Sequence, residues 1–305
     1  KTMSGEFIKE FPTLHKGGGG VRKKLLFTAV LVFLCTSSGK AINYYVSNSG
    51  NDSNAGTTPE TAWKTIRKVN ESKFAPGDKI LFERGDEWRE QLTIPSSGAS
   101  GSPITFSSYG TGDRPIINGS DSVTSWTGGP SLWQTVVTAD PKIVTISDTL
   151  ADEALSYGSL DTEGEWYWHN DTLYVYSSAE PVNAEYGARD FAITNSDAED
   201  ESYITITNLE VKGSQRDGIR FYGDGSNITI SDCYAHHTRQ VGFAFWGYNN
   251  SSVSDSRAEY TASGFYVYPG SDGITFSRDT AIFNKSYDNG VNTNGQTNDG
   301  HGFGI

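Results

Sequence analysis

Imidazole, guanidinium and carboxyl groups collect in the last third of this 305-residue chain. His236, His237 and Arg239 share one short stretch, Arg216 and Asp217 precede it, and Asp299 and His301 stand near the end. A histidine moves protons near neutrality, an arginine neutralises an anion, and a carboxyl works as acid or base according to its surroundings. His237, Arg239, Asp299 and His301 are therefore the candidate catalytic residues. Solvated loop residues of the same types are the competing reading. The pair His236-His237 is not by itself a metal signature, because neighbouring residues on a strand face opposite ways.

A second set of candidates is aromatic. In GIRFYG, GFAFWG and GFYVYPG the residues after the glycine alternate in direction, so Ile219/Phe221, Phe243/Phe245 and Phe265/Val267 point one way. Tyr222, Trp246 and Tyr268 then fall on one outward line, and Arg220, Ala244, Tyr266 and Gly304 on the next. Rings repeated at about 4.8 Å offer flat apolar platforms, on which the apolar faces of sugar rings pack. Arg220, Tyr222, Trp246, Tyr266 and Tyr268 are the candidate substrate-binding residues, unless loops or another segment cover them.

These positions need an element that repeats, and from residue 203 the sequence has one. YITITNLEVKGSQRDGIRFYGDGS, NITISDCYAHHTRQVGFAFWGYNN, SSVSDSRAEYTASGFYVYPGSD and a longer fourth unit align Ile206, Ile230, Val253 and Phe276 at spacings of 24, 23 and 23. Several short strands per unit, with no room for a helix, make one turn of a parallel β-helix. Asn208, Asp232 and Asp255 stand at matching bends that suit an Asx residue. The fourth unit has Arg278 there, so the ladder is expected to slip.

The rest of the chain supports the same plan. Residues 42–122 open with INYYVS, and Thr58 can cap a helix beginning at Pro59, with Ala62, Ile66 and Val69 as its apolar stripe. Three alternating segments, DKILFERG, QLTIPSS and PITFSSYG, follow as first coils. Residues 123–195 differ, with Trp126, Trp133, Trp166 and Trp168 and a hairpin pattern around His169-Asn170-Asp171. The expected fold is all-β: a right-handed parallel β-helix with an N-terminal capping helix, a small β-rich insertion at 123–195, and coils at 196–305 that stop before the solenoid is complete.

At the other end, Arg22, Lys23 and Lys24 precede an apolar run from Leu25 to Cys35 and then small residues up to Ala41. This is the order of a secretory signal peptide at 21–41, whose apolar run of about 11 residues is too short to span a bilayer, which needs roughly 20 apolar residues. Residues 1–20 are expected to be upstream or appended sequence, with Val21 as the start. Removing residues 1–41 takes away 7 of the 24 basic and 2 of the 37 acidic residues and leaves a formal charge of −18. Nucleic acid and anionic membranes are thereby poor partners. Cys233 remains alone, which rules out an intrachain disulfide and a Cys-based zinc site.

The YYVSNSGNDSNAG opening, ETAWKTI, PGDKILFERGD and the ITISDC-type coils resemble the pectate-lyase-like right-handed β-helix proteins of bacterial secretomes. That superfamily holds lyases, epimerases, hydrolases and non-enzymatic members, so the likeness implies a fold and leaves the chemistry open. The stretch NKSYDNGVNTNGQTNDGHGFGI is loosely similar to the ninth polysaccharide lyase family, in which a lysine base follows the GxGF segment. Here that position is Gly304, and the acidic calcium cluster of that family has no counterpart, so its catalytic residues are not carried over.

The first expectation is a secreted, extracellular or periplasmic enzyme acting on an uronate-containing polysaccharide by β-elimination, with Ca2+ as candidate cofactor, monomeric at full length. Such an enzyme needs a cation to neutralise the uronate carboxylate and a base for the C5 proton. A non-catalytic glycan-binding protein and a glycoside hydrolase on the same scaffold are the alternatives.

Overall fold

A computed structural model of the chain describes residues 40–196, 200–282 and 301–304. Three parallel sheets run side by side; after the first strand, which belongs to sheet A alone, each coil gives one strand to each of them. Sheet A contains Asn43–Val46, Lys79–Glu83, Ile104–Tyr109, Ile204–Thr207, Ile228–Ser231, Ser252–Ser254 and Thr275–Ser277 in that order. Sheet B contains Glu87–Trp88, Ile116–Asn118, Glu210–Lys212, Tyr234–His236, Arg257–Glu259 and Thr280–Ile282. Sheet C contains Leu92–Ile94, Phe191–Asn195, Asp217–Tyr222, Val241–Trp246, Ser263–Tyr268 and His301–Gly304. This is a right-handed parallel β-helix.

The expected column is present: Ile206 pairs with Ile230, Ile230 with Val253, and Val253 with Phe276. The sheet C ladder packs the same way, with the Phe243 and Phe265 rings 4.9 Å apart and nearly parallel, and Phe265 and Phe303 again 4.9 Å apart. Each fully buried Phe contributes about 2–3 kcal/mol relative to an exposed one. Glycines opening the sheet C strands let sheet B approach. A Cβ on Gly242 would stand 2.7 Å from the Gly264 carbonyl oxygen and 2.8 Å from Ala258 Cβ.

The corners between sheets A and B explain the Asx column. Asn208, Asp232 and Asp255 have φ of 58°, 52° and 53°, in the left-handed region that Asn and Asp tolerate. Arg278 adopts φ 59° at the same place, and Ser277 stays opposite Ser254, so the ladder does not slip. Two hydrogen bonds from the Arg278 guanidinium to Asp255 tie that corner to the previous one.

The N-terminal capping helix is corrected into two pieces. A single 3-10 turn spans Pro59–Thr61, and an α-helix of five residues, Ile66–Asn70, begins after Thr65, whose hydroxyl caps it by accepting from the Lys68 N–H. Between them Trp63 is extended: its N–H donates to the Tyr45 carbonyl, and its own carbonyl accepts from Ser47. The strand-like bonds and the stacking of Trp63 on Tyr44 at 5.0 Å outweigh the helical periodicity of Ala62, Ile66 and Val69. Cys233 is a buried free thiol, and burial pushes it up to about 12.

Between Ile116–Asn118 and Phe191–Asn195 the chain forms two four-stranded antiparallel sheets. One holds Ser120–Ser122, Val144–Ile146, Thr149–Leu150 and Ala184–Gly187; the other holds Thr127–Gly129, Leu132–Val136, Trp166–His169 and Thr172–Val175. Trp166, Leu173, Val175, Val137 and Val144 share a small core of their own. Asn170 and Asp171, at φ 48° and 56°, make the two-residue hairpin turn.

Glu185 fastens this antiparallel module to the solenoid, accepting from Arg89 at 2.7 Å and from Ser120 at 2.7 Å, with Lys212 3.7 Å away. Burial opposes its charge, yet the Arg89 and Ser120 hydrogen bonds and the charge of Lys212 hold it down to about 2. A carboxyl depressed in the folded state stabilises it above the ordinary value and loses that contribution as pH falls toward the folded value. Glu185→Gln is expected to lower the melting temperature at neutral pH, and the gap from wild type should close between pH 4.5 and 2. Thermal melts across that range check this; a gap independent of pH would contradict it.

Candidate functional site

The outer face of sheet C carries the aromatic line. Tyr222 pairs with Trp246 and Trp246 with Tyr268, one per coil. Trp246 and Tyr268 stack at 4.8 Å and 15°, and Tyr222 meets Trp246 edge-on at 5.4 Å. Tyr222 is 48% and Trp246 39% exposed, so these two rings present open faces to solvent. Tyr266 lies on the neighbouring line and packs against Tyr268 at 4.6 Å.

Arg220 lies beneath these rings. Its guanidinium sits 5.1 Å from the Tyr222 ring centre, 5.7 Å from Trp246 and 4.8 Å from Phe191. Cation–π attraction and burial of its stem fix it between strands. Behind it Asp217, at 1% exposure, lies 4.0 Å from Arg220 and accepts from the Val241 N–H at 3.2 Å. Burial pushes the Asp217 carboxyl up to about 6 although Arg220 and Arg216 oppose the shift. The Tyr268 hydroxyl is pushed up to about 12 by burial and by the charge of Asp217. Because Asp217 is covered, it holds Arg220 in place and does not touch a ligand lying on the rings.

All five candidate binding residues, Arg220, Tyr222, Trp246, Tyr266 and Tyr268, thus share one face. The candidate catalytic residues do not gather on it. His237 sits in the turn between sheets B and C, its ring stacked on Tyr260 at 5.0 Å. The strand that follows runs from Val241 to Trp246, about 16 Å at 3.3 Å per residue, before the rings are reached. Arg239 lies in the same turn, where its N–H donates to the Ser214 carbonyl. His301 pairs through its backbone with Ser263. Asp299 lies outside the described residues, as do residues 21–39 of the expected leader. No helix among the described residues is long and apolar enough to cross a membrane.

The expectation that His236 and His237 face opposite ways fails. His237 has φ 49°, which turns its ring toward His236 and brings the two Nδ1 atoms to 2.6 Å. The same corner in neighbouring coils is left-handed at Gly213 and Tyr260, so coil geometry imposes it. His236 Nε2 lies 3.0 Å from Glu210, and burial, with the His236 imidazole alongside, holds His237 below the usual imidazole range. Gly304, where the resemblance would put a lysine, faces Tyr266 so closely that any Cβ would overlap its ring.

Sequence reasoning missed Phe191 under Arg220 and Asp148 beside His237. Both lie in or after the antiparallel module, outside the two-dozen-residue period. Only the strand pairing of Phe191 with Asp217 brings the first into place.

Comparison with known proteins agrees with the coils. Residues 190–304 match a family model described as "Right handed beta helix region". The chain is 33% identical over 154 residues to a lacto-N-biosidase of Bifidobacterium longum subsp. longum, covering 44% of this chain and 9% of that protein. Among solved structures, a "Glycoside hydrolase" superposes with a TM-score of 0.58 at 12% identity, covering 74% of this chain and 67% of that one. The complex of XylC with xylose gives 0.54 at 13% identity, covering 79% and 63%. The chain adopts a right-handed parallel β-helix fold. It matches less than a tenth of the length of the curated lacto-N-biosidase.

Proposed function

We propose that this chain is a secreted carbohydrate-active protein that lays an oligosaccharide across the outer face of sheet C and takes part in cleaving a glycosidic bond. The observation that carries the reading is the pair of exposed rings, Tyr222 and Trp246, in consecutive coils over a buried guanidinium. Sugars stack on such rings through their C–H faces, and Arg220 and the tyrosine hydroxyls supply polar partners at the edges.

Hydrolysis is the preferred reaction, since the 33% identical stretch belongs to a lacto-N-biosidase. Hydrolysis needs two carboxyl groups across the bond, and Asp299, the acidic candidate from the sequence, lies outside the described residues. A second reading, β-elimination on a uronate with Ca2+, is favoured by the two guanidinium groups, Arg216 and Arg220, that flank Phe191.

Incubation with a panel of neutral and uronate oligosaccharides, with and without Ca2+, separates the readings. New reducing ends without ultraviolet absorbance support hydrolysis, and an unsaturated absorbing product supports elimination. Saturable binding without turnover means a glycan-binding protein. If no member of the panel binds or reacts, the proposal fails.

A further inference from the structure

A cluster at the other end of the sheet C strand is built from two parts of the fold. Ser147 and Asp148, at φ 50° and 59°, form the tight turn of a hairpin in the antiparallel module. That turn brings Asp148 Oδ1 to 4.0 Å from His237 Nδ1. One ligand atom from each of Asp148, His236 and His237 lies within 4.8 Å of the other two. Among the described residues this is the group of three or more His, Cys, Asp and Glu side chains so disposed.

The ring orientations are fixed independently. Tyr234 stacks on His236 at 4.5 Å and 14°, and Tyr260 stacks on His237 at 5.0 Å and 12°. Glu210 accepts from His236 Nε2, which leaves the lone pair on Nδ1, the atom that faces His237. A carboxylate behind an imidazole in this way sets its tautomer and raises its basicity as a ligand. Both imidazoles are 5% exposed, whereas the Asp148 side chain is 68% exposed on its turn.

We propose that Asp148, His236 and His237 form a binding site for a divalent transition metal of the Zn2+ kind, with Glu210 as the supporting carboxylate. Two imidazole nitrogens and one carboxylate oxygen suit Zn2+, and suit poorly Ca2+ and Mg2+, which take oxygen ligands. Tetrahedral Zn2+ bonds of about 2.0–2.1 Å require nitrogens somewhat farther apart than the present hydrogen-bonded pair, a small rotation of two rings. Lys212 lies 3.8 Å from Asp148 and 3.7 Å from Glu185. The metal would take Asp148 from Lys212, which keeps Glu185. Glu259, on the next strand of sheet B, adds negative charge near His237. Three protein ligands leave a fourth position for water, and the ion would clamp the module's turn onto the solenoid.

The test is calorimetric titration of chelator-treated protein with Zn2+, with Co2+ visible absorption as a second readout, on wild type and two variants. Asp148→Ala changes an exposed turn residue, and His237→Asn keeps a side chain that tolerates a left-handed backbone. Circular dichroism confirms that both are folded. The expected results are one equivalent bound by wild type, at least tenfold weaker binding by Asp148→Ala, and no specific binding by His237→Asn. Absence of a wild-type equivalent, or unchanged affinity in either folded variant, overturns the site.

Discussion

Phe243→Ala is expected to destabilise the solenoid by about 3–5 kcal/mol, the cost of emptying a phenylalanine-sized space in a close-packed core. Phe243 is fully buried, pairs with Ile219 on one side and Phe265 on the other, and stacks on Phe265 at 4.9 Å. Sheets A and B close over the same interior, so the wall cannot collapse into the gap without breaking its ladder of hydrogen bonds. Each coil depends on its neighbours for burial, so the loss should spread to the coils above and below. Urea unfolding midpoints compare this variant with Thr229→Ala, at an exposed sheet A position where a change within about 0.5 kcal/mol is expected. Equal midpoints for the two variants would mean that Phe243 does not lie in a packed column.

The second large effect falls on binding. Trp246→Ala removes the central ring of the outer line, which stacks on Tyr268, meets Tyr222 edge-on and covers Arg220. Affinity for the oligosaccharide found with the panel should fall at least tenfold, equivalent to about 1.4 kcal/mol. Tyr222→Ala should give a similar loss, and the double variant should bind no better than the weaker single one. Melting temperatures should change little for Tyr222→Ala, whose ring is half exposed, so a binding loss there cannot be ascribed to unfolding. Isothermal titration with each variant checks this; wild-type affinity in both would remove the rings from the site.

The solenoid was legible because its physics is periodic. Ile206, Ile230, Val253 and Phe276 had to meet if successive coils were to bury anything, and they do. The outward aromatic line was legible for the same reason, since inward Phe243 and Phe245 leave Trp246 outside. What periodicity could not supply was anything at the corners or across the antiparallel module. His237 turns toward His236 because its corner is left-handed, a backbone state that a strand pattern does not reveal. Asp148 reaches His237 from a hairpin 89 positions earlier in the sequence, through antiparallel pairing of Val144–Ile146 with Ala184–Gly187. The helix at Pro59 was misjudged because apolar spacing alone does not register that Trp63 is held as a strand by Tyr45 and Ser47.

The decisive measurement is the position of a bound oligosaccharide in a crystal structure of the complex, using the ligand with the highest affinity from the panel. The account predicts at least one sugar ring in van der Waals contact with the faces of Tyr222 or Trp246 and a polar group of the ligand within hydrogen-bond reach of the outer face of sheet C. Density for the ligand on the antiparallel module or along sheet A, with the rings of Tyr222 and Trp246 untouched, would contradict it.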